Sequence, residues 1–331
     1  MDRAGTAVRL VSSSQEQQAR VGVSQWHSTT ETPETSLRLP RAFTTYLHEP
    51  LAQRPAGSAG KRGECMLTFA AEQGKTRLRH SFVTHPFHLT RPWYLDPALP
   101  GMTVVYVQTP AGGLIQGDRT SLRFVLGPEA QVHLTNQAAE KIHTMTANCA
   151  LQQISFVLGP GAYAEYVPEP IILFPGARFG QQLQVELGEE ARFFFAELFV
   201  SHRPAGSASF DALATSLSVR NSHETLLLHD RSLVFPAQQD LAGPGILGPH
   251  HVWGQALLIG PVVPPIWAQE IHALLSGEPA VACGTTVLPG GYGIGVKVVG
   301  SEVRAVRRVL HTAWQALRTR SLGVSACVFP K

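Results

Sequence analysis

The sequence has few charged residues, and this shortage limits what its surface can do. Charged residues make up 15% of the 331-residue chain, against about 25% in an average soluble domain. We therefore expect the chain to be poorly soluble alone and to need a partner that covers apolar surface. The formal net charge of +3 is too small to indicate nucleic-acid binding, which uses a clustered basic face.

Long apolar runs and paired cysteines are also missing. No apolar run reaches the roughly 18 residues of a membrane-spanning helix, and the N-terminus lacks the apolar region of a secretory signal. The four cysteines, at positions 65, 149, 283 and 327, are too far apart in sequence to form a Cys-x-x-Cys metal or redox motif. These features predict reduced thiols in a cytoplasmic protein that is not attached to a membrane.

The first part of the chain differs in composition from the rest. Residues 1–62 contain polar stretches rich in Pro, Ser, Thr and Gly, such as "HSTTETPETS" and "AQRPAGSAGKRGE", without periodicity. This composition predicts a low-complexity, largely disordered extension. Short apolar runs separated by Gly and Pro follow, so residues 63–331 are predicted to form one β-rich domain.

Three segments of that domain repeat a common pattern. They are "LRFVLGPEAQVHLT", "ISFVLGPGAYAEYV" and "LQVELGEEARFFFA". Each is a β-type run, a Leu-Gly pair, two turn residues, Ala and a second run, which predicts a β-hairpin whose Gly has positive φ. Their spacing near 30 residues predicts a mainly β fold of stacked β-hairpins, of the β-helix or sandwich-like kind.

Two α-helices are predicted in the C-terminal half. One covers roughly residues 265–276, and the other runs from Ser301, as N-cap, to about residue 320. The second helix carries Arg304, Arg307 and Arg308 outside its apolar stripe. These arginines favour a solvated face, and a partner-binding face is the alternative.

The glycine-rich stretch "TPAGGLIQGDRTSL" raises the question of a phosphate-binding loop. It matches neither the P-loop pattern nor the dinucleotide fingerprint, because its glycines lie between two strands. We therefore interpret Gly112, Gly113 and Gly117 as residues that shape a turn. That turn places Asp118, which is either a simple turn-capping acid or a functional carboxylate.

A second acidic group is Glu165 and Glu169, in "YAEYVPEPIILF". Prolines on both sides of Glu169 hold the backbone extended. Carboxylates of this kind can form an acid-base pair, as in a glycosidase, or oxygen ligands for a passing cation. The alternative is a pair of surface acids on strands. No H-E-x-x-H motif occurs among the 14 histidines, so no firm metal ligand is predicted.

Several motifs resemble the UreD/UreH family of urease accessory proteins. "TPAGGLIQGDRTSLRFVLGPEAQVHLTNQAAEKIH" is similar to that family's Pro-x-Gly-Gly turn, Gly-Asp pair and Leu-Thr-x-Gln-x-x-x-Lys segment. "YVPEPIILFPGARF", "GTTVLPGGYGIGVKV" and the "AWQALR" helix follow in the family's order. The resemblance covers about residues 66–320 and not the N-terminal extension.

The resemblance implies a scaffold that is not an enzyme. It would bind apo-urease, a UreF-type protein and a UreG-type GTPase, and would support nickel insertion without a permanently bound cofactor. It also implies an internal polar passage for nickel, with Asp118 and Glu169 as lining acids; Glu165 is a further candidate. A β-rich carbohydrate-active enzyme using Asp118 and Glu169 as its acid pair, and a plain binding module, are the alternatives.

Overall fold

The computed structural model describes residues 40–51, 60–203, 209–243 and 245–329. This part of the chain is mainly β, as the sequence predicts. Its strands, in chain order, are β1 Arg62–Glu72, β2 Lys75–Val83, β3 His88–Leu89, β4 Thr103–Gln108, β5 Arg119–Leu126, β6 Gln131–Thr135, β7 Glu140–Ile142, β8 Ala150–Leu158, β9 Tyr163–Tyr166, β10 Ile171–Leu173, β11 Arg178–Leu187, β12 Arg192–Ser201, β13 Ala212–Asn221, β14 Leu226–Val234, β15 Val252–Ile259, β16 Val281–Val287 and β17 Gly293–Gly300. Its helices are α1 Arg41–Thr44, α2 Ile266–Leu275 and α3 Val303–Leu322.

The strands form two sheets that enclose a common core. The first sheet has the order β14-β13-β11-β8-β5-β1-β2. The second has the order β16-β17-β15-β12-β9-β6-β4-β3, with β10 beside β12 and β7 beside β10. The predicted mainly β, stacked fold with two helices in the C-terminal half is therefore confirmed.

The strands of one repeat do not pair with each other, so the hairpin interpretation of the repeats is wrong. In each repeat the first strand lies in the first sheet and the second strand lies in the second sheet. Pairing is parallel and between repeats: β5 pairs with β8, and β8 with β11, while β6 pairs with β9, and β9 with β12. The Leu-Gly turn thus carries the chain from one sheet across to the other.

The glycine of each Leu-Gly pair allows close approach of backbones. The predicted positive φ at this position is wrong, because positive φ falls two residues later, at Glu129, Gly161 and Glu190. The N–H of Gly159 donates to the carbonyl oxygen of Leu126 at 2.8 Å, and the N–H of Gly188 donates to that of Leu158 at 2.8 Å. A Cβ at Gly188 would lie 2.7 Å from the carbonyl carbon of Gly159. Only glycine fits such stacked turns.

The two faces of the second sheet are both buried. Its inner face packs against the first sheet through an apolar cluster that includes Phe124, Phe156 and Phe193. Its outer face is covered by α2 and α3, whose buried residues include Ile271 and Trp314. Functional groups on the central strands β9 and β12 are therefore shielded from water on both faces.

Helix α3 begins one residue later than the sequence predicts. Its N-cap is Glu302, without a side-chain capping hydrogen bond, so the prediction of Ser301 as N-cap is wrong. The Ser301 hydroxyl lies 3.1 Å from Nδ1 of His250 instead. That contact ties the start of the helix to the loop before β15.

Part of the predicted N-terminal extension is folded. Residues 40–51 contain α1 and a 3₁₀ turn, and Phe43 is fully buried. The Glu49 carboxylate lies 2.8 Å from Nη1 of Arg178 and accepts the N–H of Asn148 at 2.8 Å. This segment packs on the β domain. Residues 1–39 and 52–59 of the predicted extension lie outside the described residues.

We expect Gly188→Ala to lower the free energy of unfolding by about 1–3 kcal/mol, because the new methyl group would overlap backbone atoms. Gly277→Ala is the matched control, since a Cβ there meets nothing within 4 Å and changes stability by less than about 1 kcal/mol. Urea unfolding followed by circular dichroism measures both. Equal midpoints for the two variants would contradict the stacked-turn explanation.

Candidate functional site

Asp118 lies in the turn that the glycines shape. Gly112, Gly113 and Gly117 have φ of 77°, 126° and 80°. The Asp118 carboxylate is fully buried and accepts the backbone N–H groups of Lys61 at 2.9 Å and Ile115 at 3.0 Å. The Lys61 ammonium is 3.2 Å away. Asp118 thus fastens this turn to the start of β1.

Glu165 lies on the outer face of the second sheet, against α3. It is fully buried. Its carboxylate accepts hydrogen bonds from Tyr163 Oη at 2.6 Å and Trp314 Nε1 at 2.8 Å, and it lies 2.7 Å from Nδ1 of His133. These contacts attach helix α3 to strands β6 and β9.

Arg318 brings a buried charge to the same cluster. Its Nε lies 3.6 Å from Glu165, and its Nη2 donates to the buried Asp96 at 2.5 Å. Burial raises the pKa of Glu165, but the hydrogen bond and charge of His133 and the charge of Arg318 hold that pKa below its ordinary value. Glu165 is therefore an anion surrounded by donors.

Glu169 borders a cavity of about 140 Å³ next to α3. Its carboxylate lies 2.6 Å from Nη2 of Arg307, whose side chain is half exposed. The backbone N–H of Glu169 donates to the Asn136 side chain at 2.5 Å. Neither Asp118 nor Glu165 lines this cavity. Asp118 and Glu169 therefore do not face each other across it, as the acid pair of a glycosidase would.

The second sheet is interrupted beside this cavity. Strand β9 ends at Tyr166 and β10 begins at Ile171, so within the described part of the chain residues 196–198 of β12 have no strand partner on that side. The intervening residues include Pro168 and Pro170, and proline cannot donate a sheet hydrogen bond. The cavity reaches residues 196–198 through this gap. We call the gap, residues 167–170 opposite residues 196–198, the sheet window.

Glu197 stands at the sheet window and lines a cavity on each side of it. The second cavity, of about 130 Å³, lies between the sheets and also includes Thr215, Ser232 and Gln255. Glu197 is 5% exposed, and its Oε1 accepts a 2.7 Å hydrogen bond from Gln255. Its Oε2 has no hydrogen-bond partner among the described residues. One carboxylate oxygen is thus buried and open to a ligand.

Burial favours the protonated form of the Glu197 carboxyl group. It raises the pKa of this carboxyl to about 7, although the Gln255 hydrogen bond acts in the opposite direction. Lys297, on β17, also lines the inner cavity and pairs with Asp230 at 3.0 Å. A cation that replaces the proton on Glu197 would bring a matching positive charge into this low-dielectric region.

Glu140 is a second buried acid of the domain, and its Oε2 lies 3.2 Å from the Thr109 hydroxyl. Burial, with a smaller contribution from the charge of Asp118, raises the pKa of Glu140 to about 7, although the Thr109 hydrogen bond and the charge of Lys61 act in the opposite direction. Burial also raises the pKa of Tyr166, and the charges of Glu197 and Glu140 add to that shift. The charge of Asp118 therefore acts on Glu140, and the charges of Glu140 and Glu197 act on Tyr166; we call these four residues the acid series.

The sequence interpretation did not single out Glu140 and Glu197. Glu197 carries a usable signal, because it is an acid within the apolar strand "RFFFAELFVS", in alternation with the inward-facing Phe193 and Phe195. Glu140 lies in the segment "NQAAEKIH" of the family motif. Its burial depends on the pairing of β7 with β10. Only the first of these positions follows from a local pattern.

The remaining predicted groups lie on α3 or form no site. Arg307 pairs with Glu169, Arg308 lies 3.0 Å from Glu278, and Arg304 is exposed. Within the described ranges, no three His, Cys, Asp or Glu side chains are placed to hold a metal ion. No helix of that part of the chain is long and apolar enough to cross a membrane.

We expect Glu197→Gln to stabilise the protein at pH 8 and to have little effect at pH 5. The pKa of Glu197 lies near 7 in the folded state and near 4.5 when unperturbed. Folded wild-type protein therefore binds more protons between these values, and its stability falls as pH rises through them. The gain at pH 8 is up to about 3 kcal/mol.

Urea midpoints at the two pH values measure this effect. Glu186→Gln, at an exposed position on β11, is the matched control and should shift neither midpoint. A Glu197→Gln effect of the same size at pH 5 and pH 8 would show that the carboxyl does not titrate in this range.

Known proteins resemble this chain over nearly all of its β domain. The family described as UreD urease accessory protein matches residues 61–329. The urease accessory protein UreD of Haloarcula marismortui is 33% identical over 287 residues, which cover 86% of this chain and 95% of that protein. Its counterpart in Natronomonas pharaonis is 35% identical over 293 residues, covering 86% and 96%. The chain belongs to the UreD family of urease accessory proteins.

Proposed function

We propose that this protein is a cytoplasmic, non-catalytic scaffold that supports nickel insertion into apo-urease. Membership in the UreD family supports the accessory role. The proposed partners are apo-urease, a UreF-type protein and a UreG-type GTPase. Nickel is the cargo and not a resident cofactor, so the chain needs ligands that bind the ion transiently.

The buried acids and the sheet window are the observation that supports ion transfer. Nickel would enter the cavity beside Glu169, pass the window at Glu197 and continue past Glu140 towards Asp118. Carboxylate oxygens bind a divalent ion such as Ni²⁺ less firmly than imidazole or thiolate does. Each acid can therefore hold the ion briefly and release it to the next.

Basic side chains cover the acids at the two ends of the proposed path, Glu169 and Asp118. Arg307 pairs with Glu169 and Lys61 pairs with Asp118. In the proposed path, an arriving cation displaces the Arg307 head group, which is half exposed and can turn into water. Between transfers these pairs satisfy the carboxylates, so empty sites do not leave buried charges without a counterion.

Glu165 has a different place in the proposal. Its oxygens already accept bonds from Tyr163 and Trp314 and face His133, so it positions α3 next to the cavity. The half-exposed Arg307, together with Arg304 and Arg308, would then form part of a partner-binding face at the cavity entrance. A positive rim of this kind would steer an acidic partner surface to that entrance.

We expect Glu197→Gln to lower the nickel content of urease several-fold, because the neutral amide cannot replace a charged oxygen ligand. Urease is purified from cells that contain all other accessory proteins, and nickel is measured by mass spectrometry. Cells without this chain give the baseline, and Glu186→Gln is the matched control. Co-purification of the chain with its partners checks that the variant still assembles.

The same experiment separates the parts of the proposal. An equal nickel content of urease with and without the chain would contradict the accessory role itself. Normal nickel with Glu197→Gln, but low nickel without the chain, would keep the scaffold role and remove Glu197 from the path.

We expect Asp118→Ala to keep the partner complex and to lower nickel in urease. The physical reason is loss of the acid at the far end of the series. Because Asp118 also fastens the turn, thermal unfolding of the variant is measured alongside nickel content. Loss of the complex with a normal melting temperature would instead identify Asp118 as an interface residue.

A further inference from the structure

The second sheet ends in a long open edge at β16. Among the described strands it pairs with β17 alone, antiparallel and without a break in register from Val281 opposite Gly300 to Val287 opposite Ile294. An open edge offers unpaired N–H and C=O groups to another strand. Proteins normally protect such edges with charges, prolines or bulges.

The other long open edges of the described sheets carry that protection. Strand β2 contains Lys75, Arg77 and Arg79, and its pairing with β1 shifts register after Thr68. Strand β14 contains adjacent acidic and basic residues, "DR", and its pairing with β13 also shifts register. Strand β16, "VACGTTV", has no charged residue, no proline and no register shift. Among the described edges of this length, β16 is the unprotected one.

The backbone groups that point outward from β16 can be identified. The N–H of Leu288 donates to the carbonyl oxygen of Gly293 at 2.9 Å, directly after the strand. Hydrogen-bonded pairs alternate in an antiparallel ladder, so the even-numbered residues of β16 face β17. The odd-numbered residues Val281, Cys283, Thr285 and Val287 therefore present their N–H and C=O groups at the open edge.

We propose that β16 pairs with β16 of a second copy of this chain, antiparallel about a two-fold axis at Gly284. The strand is nearly symmetric about this glycine. Val281 would lie opposite Val287, Ala282 opposite Thr286, and Cys283 opposite Thr285. Odd residues meet odd residues, so the outward N–H and C=O groups bond in the correct alternation.

The composition of β16 favours a second copy of this chain as the partner at its open edge. A two-fold axis places the same surface on both subunits, so any charge would meet its own sign nearby. Strand β16 has none, and its small and β-branched residues at opposite ends match in size. The pairing would join two second sheets into one continuous sheet and remove both open edges.

We expect the wild-type full chain to have twice the mass of one 35.8 kDa chain in light-scattering chromatography, and Gly284→Lys to have the mass of one. A Cβ at Gly284 meets nothing within 4 Å, so the single chain accommodates lysine. In the pair, two ammonium groups would face each other across the axis. Gly277→Lys, at another open glycine, is the matched control and should stay paired.

Cysteine cross-linking tests the register without purification. In the proposed pair, Gly284 faces its copy at a non-hydrogen-bonded position with Cα atoms about 4.5 Å apart, within the range for a disulfide. The tagged variant Cys283→Ser/Gly284→Cys should form a disulfide-linked dimer in a lysate, whereas Cys283→Ser/Gly277→Cys should not. A monomeric wild-type chain, a Gly284→Lys dimer, or cross-linking of residue 284 only to a different protein would each overturn the proposal.

Discussion

Parallel hydrogen bonding between successive repeats is the constraint on which this structure depends. The N–H of Gly159 and that of Gly188 each donate to the Leu-Gly turn before them, while the N–H of Gly127 donates to Phe69 of β1. A side chain at Gly159 or Gly188 would push the turns apart. Because the two strands of a repeat go to different sheets, one set of stacked turns builds both sheets together. Their inward side chains then form layers that run across the whole domain.

The candidate site exists where this regular pairing stops. Two prolines between β9 and β10 leave residues 196–198 of β12 without a described strand partner on that side, and a cavity reaches Glu197 from each face of the sheet. The surrounding sheets exclude water, so the pKa of Glu197 rises to about 7. An acid that exchanges its proton near neutral pH suits the proposed brief binding of a divalent ion.

Helix α3 connects the site to the outer surface. The buried Glu165 contacts Trp314 and Arg318 of this helix. Arg307, which lies about two turns before Trp314, pairs with Glu169 at the cavity. A charged cluster of this kind is expensive to bury unless every member is paired. Glu165 therefore fixes the position of the helix that carries the exposed arginines.

The sequence by itself determined the β-rich stacked fold, the two C-terminal helices, the glycine turn at Asp118 and the family. All of these follow from apolar alternation, Leu-Gly spacing and short motifs, which are local in the chain. Only the tertiary structure decided which sheet each strand joins and which acids are buried together. Partners such as Glu165 and Trp314 are 149 residues apart, and Glu140 becomes buried only when β7 meets β10. Such pairings depend on how distant segments pack, and the local hydrophobic periodicity of the sequence does not encode that packing.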